Sequence, residues 1–237
     1  MNYLLPVSTM PEVVARNAKV AILPIGSFEQ HGDHLPLATD TIIACTIANE
    51  LAVNFPVFLL PPITISCSHE HSGWSGTVSI SSRTLGAMVG DICTSLDSSG
   101  MHAVVLVNAH GGNYILSNLV QEGSFLGRHM ALFPSREDWA DARKAAQLST
   151  TAHEDMHAGE LETSILLYSH AELVKPGYRS ADHIANDRRY LLSLGMAAYT
   201  DTGVIGRPSQ GSAEKGRLLI SSLVESFRPL LTMLEKR

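Results

Sequence analysis

Val20-Ala21-Ile22-Leu23-Pro24-Ile25 is an unbroken apolar run of strand length. Such a strand has no polar face to offer water, so it must be covered on both sides, as a central strand of a parallel sheet is. Ala103-Val104-Val105-Leu106-Val107 meets the same condition and is richer in β-branched residues. Shorter apolar stretches at 57–60, closed by Pro61-Pro62, and at 130–133 complete four strand candidates. Helical patterns fall between and after them. Asp40 is placed to cap a helix over 40–54, with Ile43, Ile47 and Leu51 on one face. Further helices are expected over 82–96, 113–127, 138–148, 160–169 and 213–234. This alternation predicts an α/β fold, a three-layer α/β/α sandwich around a mostly parallel sheet. A chain of 237 residues, 45% hydrophobic and without a Pro/Ser linker or internal repeat, is expected to fold as one domain over 1–237.

Charge and composition remove several classes of function. The formal net charge of −6 comes without a basic stripe, which argues against nucleic acid and against an anionic membrane as partner. No apolar run reaches the ~18 residues of a membrane span, and the N-terminus lacks the pattern of a signal peptide. Cys45, Cys67 and Cys93 are odd in number and widely spaced, which reads as reduced thiols in a cytoplasmic protein. Eleven histidines is the unusual count, and their placement directs the functional reading.

Four polar clusters fall on loops. Directly after the first apolar run, Glu29-Gln30-His31-Gly32-Asp33-His34 leads through Leu35-Pro36-Leu37-Ala38-Thr39 to Asp40. Carboxylates and imidazoles at the carboxyl end of a buried strand are where α/β proteins place chemistry, and this donor set suits zinc, manganese or iron(II). Asn108-Ala109-His110-Gly111-Gly112-Asn113 closes the second buried run, with paired glycines that allow a sharp turn and a close approach to a ligand. A third loop, Ser66 to Thr77, carries His69, Glu70, His71 and Trp74. The fourth runs from His153 through Glu154 and His157 to Ala158-Gly159-Glu160-Leu161-Glu162-Thr163-Ser164. It contains a literal H-E-x-x-H, in which helical histidines would bind zinc and Glu154 would act as base. Ala158-Gly159 follows at once, so the helix is expected to start after His153 and His157 rather than contain them. A zinc metallopeptidase using His153, Glu154 and His157 stands as the alternative function.

The stretches Leu23 to Asp40, Asn108 to Asn113, Glu70 to Thr77 and His157 to Ser164 resemble, in order and spacing, the signatures of the creatininase (creatinine amidohydrolase) family. The resemblance covers roughly residues 20–225. It implies a metal-dependent α/β/α amidohydrolase that cleaves a C–N amide bond in a cyclic amide, a formamide or a small peptide-like substrate. It also implies a homo-oligomer, a hexamer in many members, and two divalent metal ions per chain (Zn, Mn or Fe). Glu29, Asp40 and His110 would hold one ion, and His31 with the shared Asp40 the other. Creatininase proper carries a Glu two residues after the histidine equivalent to His110, where this chain has Gly112. That departure sets the chain nearer the creatininase-like and mycofactocin-peptidase type. The second ion then needs another carboxylate, for which Glu162 is the first choice and Glu160, closer to His157 by helix geometry, the second. An Asp shared by two ions about 3.5–4 Å apart holds a hydroxide between them at neutral pH. His157 is the expected proton shuttle, with Glu162 beside it as the second catalytic residue. His34, His71, Gly111, Gly112, Asn113, Glu160 and Trp74 are expected to orient the ligands or line the substrate. The polar stretch 176–189 reads equally as an oligomer contact or a substrate-recognition loop.

Overall fold

The computed structural model describes residues 4–236. Four strands form one sheet: β1 (Val20–Ile25), β2 (Phe58–Leu59), β3 (Ala103–Asn108) and β4 (His129–Phe133). They lie in the order β2-β1-β3-β4, every pair parallel. Each β-α-β crossing places helices over the sheet. The helices are α1 (Met10–Arg16), α2 (Thr39–Asn54), α3 (Ser82–Ser98), α4 (Ile115–Phe125), α5 (Arg136–Ala145), α6 (Glu160–Ser169), the short α7 (Leu191–Leu194) and α8 (Ala213–Glu235).

Alternate residues of each strand point to opposite faces, and the core divides accordingly. Val20, Ile22, Val105 and Val107 pack under α2, α5, α6 and α8, against Ile43, Ile47, Leu51, Ile165, Leu219 and Phe227. Ala21, Leu23, Ile25, Val104 and Leu106 face α3 and α4, against Leu85, Val89 and Leu116. Three layers result, as the apolar runs predict. Burial of both faces of β1 explains why it has no polar residue. No helix among the described residues is long and apolar enough to cross a membrane.

The start of α2 departs from expectation, that of α6 falls at Glu160 as expected but is capped from outside, and both matter for the site. Asp40 does not cap α2: Ala38 holds the cap position without a side-chain bond, and Asp40 lies in the first turn. Its carboxylate is drawn instead to Ser27, His31 and His110. Gly159 stands at the cap position of α6, also without a side chain to offer. Asp155 replaces it from the preceding loop, accepting from the backbone N–H groups of Glu160 (2.6 Å) and Leu161 (3.0 Å). By contrast, α3, α5 and α8 are capped by Ser81, Ser135 and Ser212 in the ordinary way.

The register of the sheet positions the site. Ile25 of β1 lies opposite Asn108 of β3, so the loops leaving both strands start side by side at the carboxyl edge. Gly26 lets the first turn of α2 close over that edge, because a Cβ there would collide with the backbone of Thr41.

Candidate metal centre

Three loops and the first turns of two helices bring six titratable side chains together at this edge. Glu29, His31 and Asp40 come from the segment after β1, His110 from the turn after β3, and His157 and Glu162 from around the start of α6. Their donor atoms form three groups, each within 4.8 Å: Glu29 with Asp40 and His110, His31 with Asp40 and Glu162, and Glu29 with His31 and His157. Asp40 joins the first two, with a different oxygen turned to each. Its Oδ1 lies 3.1 Å from His31 Nε2, and its Oδ2 lies 2.9 Å from His110 Nδ1. Glu162 Oε2 stands 3.9 Å from His31 Nε2.

The histidines are oriented from behind by main-chain carbonyls. His31 Nδ1 donates to the carbonyl of Glu29 (3.0 Å), which leaves Nε2 facing Asp40. His110 Nε2 donates to the carbonyl of Cys67 (2.7 Å), which leaves Nδ1 facing Asp40 and Glu29. His157 Nε2 donates to the carbonyl of Gln30 (2.6 Å), which leaves Nδ1 as an acceptor 3.9 Å from Glu29 Oε1. Hydrogen bonds of this kind select the tautomer and aim the ring. Asn108 and Asn113 clamp the glycine turn around His110, through Asn108 Nδ2 to the His110 carbonyl and Asn113 Nδ2 to Asn108 Oδ1.

Gln30 and Ser27 do the same for the carboxylates. Gln30 Nε2 donates to His71 Nδ1 (2.9 Å), so the His71 Nε2–H faces Glu29 Oε1 at 3.2 Å. Ser27 Oγ donates to Asp40 Oδ2 at 2.7 Å. Neither residue stood out in the sequence. Each looks like ordinary loop polarity until the fold carries it to a ligand candidate.

The electrostatics are those of concentrated negative charge. Burial opposes ionisation of Glu29 and Asp40, yet His110 and His31 outweigh it and hold Glu29 below, and Asp40 well below, the usual range. Burial also opposes a charge on His31, but Asp40, with Glu162 and Glu29, raises it to about 9. Glu29 and Asp40 raise His110 in the same way. Glu162, half-buried at the cavity wall, is pushed by burial up to about 8. Burial lowers His71 to about 4, and burial with the neighbouring His31 and His71 rings lowers His157 well below its usual value. Both oxygens of Glu29 are buried without a well-formed hydrogen bond. A buried, ionised carboxylate of this kind is a cation's partner. The O/N donor set and the shared Asp40 fit divalent transition metals, so the residues present suit the metals the sequence implies.

Other expectations are relocated. Glu160 is turned away from the cluster: its carboxylate accepts from the N–H groups of Ser149 and Thr150 (both 2.9 Å) and pairs with Lys215. It therefore neither orients a ligand nor lines the cavity, because the first turn of α6 points it at α8 while Glu162 points at His31. His34 is buried but donates to the Ala158 carbonyl, supporting the turn before α6. Trp74 lies 6.4 Å from the His71 ring and lines neither of the cavities described below. His153 and Glu154 lie in a loop outside any helix, and both are tied up locally. His153 Nε2 donates to the Asn186 carbonyl, and Glu154 accepts from Thr151. The helical H-E-x-x-H geometry is absent, so His153 and His157 are not presented from successive turns of one helix.

Two cavities open onto the cluster, of about 510 and 660 Å³. They share His110, Gly111, Tyr114, Met156, His157 and Glu162. One extends past Glu70 and His71 to Asn186–Arg189, and the other past Trp139 and Pro134. Part of the stretch 176–189 thus forms a cavity wall.

The family model for creatininase, described as creatinine amidohydrolase, matches residues 7–231. A mycofactocin precursor peptide peptidase of Mycobacterium ulcerans (strain Agy99) is 34% identical over 217 residues, covering 86% of this chain and 81% of its own. A creatinine amidohydrolase of Pseudomonas putida is 26% identical over 235 residues, covering 90% and 89%. Among solved structures, a creatininase with Mn superposes with a TM-score of 0.80 at 22% identity, over 95% of this chain and 97% of that one. The family model spans nearly the whole described chain and the fold superposes on a solved creatininase over almost all of it, and this protein belongs to the creatininase (creatinine amidohydrolase) family.

Proposed function

We propose that this chain is a metal-dependent amidohydrolase that cleaves a C–N amide bond of a small N-acyl or peptide-like substrate. The observation that carries the reading is Asp40, which presents one oxygen to His31 and the other to His110 and so joins two ligand groups. Glu29, Asp40 and His110 would hold one divalent ion, and His31, Asp40 and Glu162 a second. Such a pair supplies a water already ionised near neutral pH and a Lewis acid for the amide carbonyl.

The rest is the work of the chain's own side chains. His157, neutral and with Nδ1 as its free acceptor, is suited to take a proton at that atom and pass it to the departing nitrogen. Its Nε2 hydrogen bond to Gln30 holds the ring in place through the transfer. His71, held by Gln30, keeps Glu29 directed inward. The two cavities on either side of the cluster suit an amide with a substituent on each side of the scissile bond. Relatives named for a peptide precursor and for creatinine support an amide of this size.

Metal content per chain and hydrolysis of a panel of creatinine, N-formyl amides and short peptides test the reading, on wild type, Asp40→Ala and His153→Ala. Two ions per chain and activity in wild type and in His153→Ala, both lost in Asp40→Ala, are expected. A single zinc that survives Asp40→Ala would overturn it.

A further inference from the structure

One wall of the cavity beside Glu70 and His71 is formed by Asn186, Asp187, Arg188 and Arg189. Arg188 is partly buried there, and neutral acceptors fix its guanidinium: Nη1 donates to the Ala185 carbonyl (2.6 Å), and Nη2 to the His153 carbonyl (2.8 Å) and to His153 Nδ1 (3.5 Å). These bonds aim the group without neutralising it. Among the described residues no carboxylate lies within 4.0 Å of either Arg188 or Arg189, although Asp187 directly precedes Arg188 in sequence. Arg189 is exposed at the same wall and has no intramolecular polar partner there. The guanidinium of Arg143, by contrast, on the wall of the other cavity, is neutralised by Asp155 at 3.0 Å.

A positioned, partly buried guanidinium without a counter-ion is costly unless a ligand brings one. Its planar fork matches a carboxylate, and of a guanidinium's five N–H donors Nε–H and one on Nη1 stay free beside the three bonds that hold it still. We propose that Arg188 and Arg189 form the seat for a carboxylate on the substrate, so that the amide cleaved belongs to an anionic molecule such as an N-acyl amino acid or the end of a peptide. The inference rests on the hydrolase reading for its substrate, but the anion seat is tested by binding alone.

The probes are N-acetylglycine and its neutral analogue N-acetylglycinamide, titrated calorimetrically into metal-loaded protein. Wild type should bind the anion about tenfold or more tighter, the worth of one charge-assisted hydrogen bond. Arg189→Gln should lower that preference at least about threefold and the double variant Arg188→Gln/Arg189→Gln should remove it, with metal content unchanged. Arg188→Lys should weaken it by losing the fork, and Arg136→Gln, at the rim of the other cavity, should leave it intact. Arg189→Gln decides the matter if the double variant folds poorly, since Arg189 holds nothing else in place. Equal or undetectable binding of the two probes by wild type, or a preference that persists in Arg189→Gln and in the double variant, overturns the proposal. Should binding behave as expected while no amide is turned over, the hydrolase reading falls and the anion seat stands. If amides are cleaved without regard to charge, the reverse holds.

Discussion

Single side chains in this site are held by neighbours that a one-dimensional reading overlooks. Ser27 is buried beside Asp40 and contributes one hydrogen bond to Oδ2. Ser27→Ala should weaken metal binding about 10- to 100-fold, the usual cost of losing a group that orients a ligand, while moving the melting temperature little. A competition titration with a metallochromic dye reads this directly, and an unchanged affinity would mean that Asp40 is positioned by the histidines alone. Gly112 is constrained more severely. A Cβ at that position would collide with Glu70 Oε1, His110 Nε2 and the Cys67 carbonyl. Glu70 has some freedom to move, but the His110 ring and the backbone of Cys67 are locked to each other by hydrogen bonding. Gly112→Ala should therefore displace His110 and cut metal content and activity together, whereas Gly111→Ala, with open space around it, should be tolerated.

At the scale of elements, the start of α6 separates two glutamates that the sequence leaves in competition. Glu160 and Glu162 are two residues apart, roughly 200° around a helix, so one must face α8 when the other faces the cluster. Glu160→Ala strands Lys215 and the N–H groups of Ser149 and Thr150, and should cost about 3 kcal/mol while the protein still takes up metal. Glu162→Gln should do the opposite. Lys215 and its hydrogen bonds hold the Glu160 carboxyl below its ordinary value of 4.5, outweighing its burial. Its contribution is thus present above pH 4.5 and lost as the pH falls through its lowered value, which acid unfolding of wild type against Glu160→Gln would register. The same elements show what was legible. The four strands and the loops that end them were readable because burial on two faces leaves an apolar run, and chemistry collects where the run stops. Helix α1 was missed because it buries none of its residues and so carries no apolar period. Which glutamate faces inward was not readable, since it depends on whether α6 starts at residue 160 or one position away. Gln30, Ser27 and Arg188 act across 13 to 173 positions of chain, and no local pattern encodes that.

For the molecule as a whole, the cluster couples metal, protons and stability. Without metal, His31 (raised to about 9) and His110 keep their protons at pH 7. Metal binding must displace these protons, so loading at pH 7 should release more than one per chain and affinity should rise toward pH 9. Uptake in weakly buffered solution with a pH indicator would show it, and no release would mean that the imidazoles were already neutral. Raised values in the folded state also mean that the metal-free protein is favoured below pH 6.5 and loses that favour as pH climbs to about 9. Glu162, at about 8, acts in the same direction. The melting temperature of the metal-free form should thus decline across this window while the loaded form stays level. The carbonyls that aim His31, His110 and His157 lead further. They belong to Glu29, Cys67 and Gln30, but a carbonyl is common to every amino acid. The aim of the three rings is thus inherited from the path of the main chain, and the side chain at position 67 can drift over generations without misdirecting the histidine it steadies.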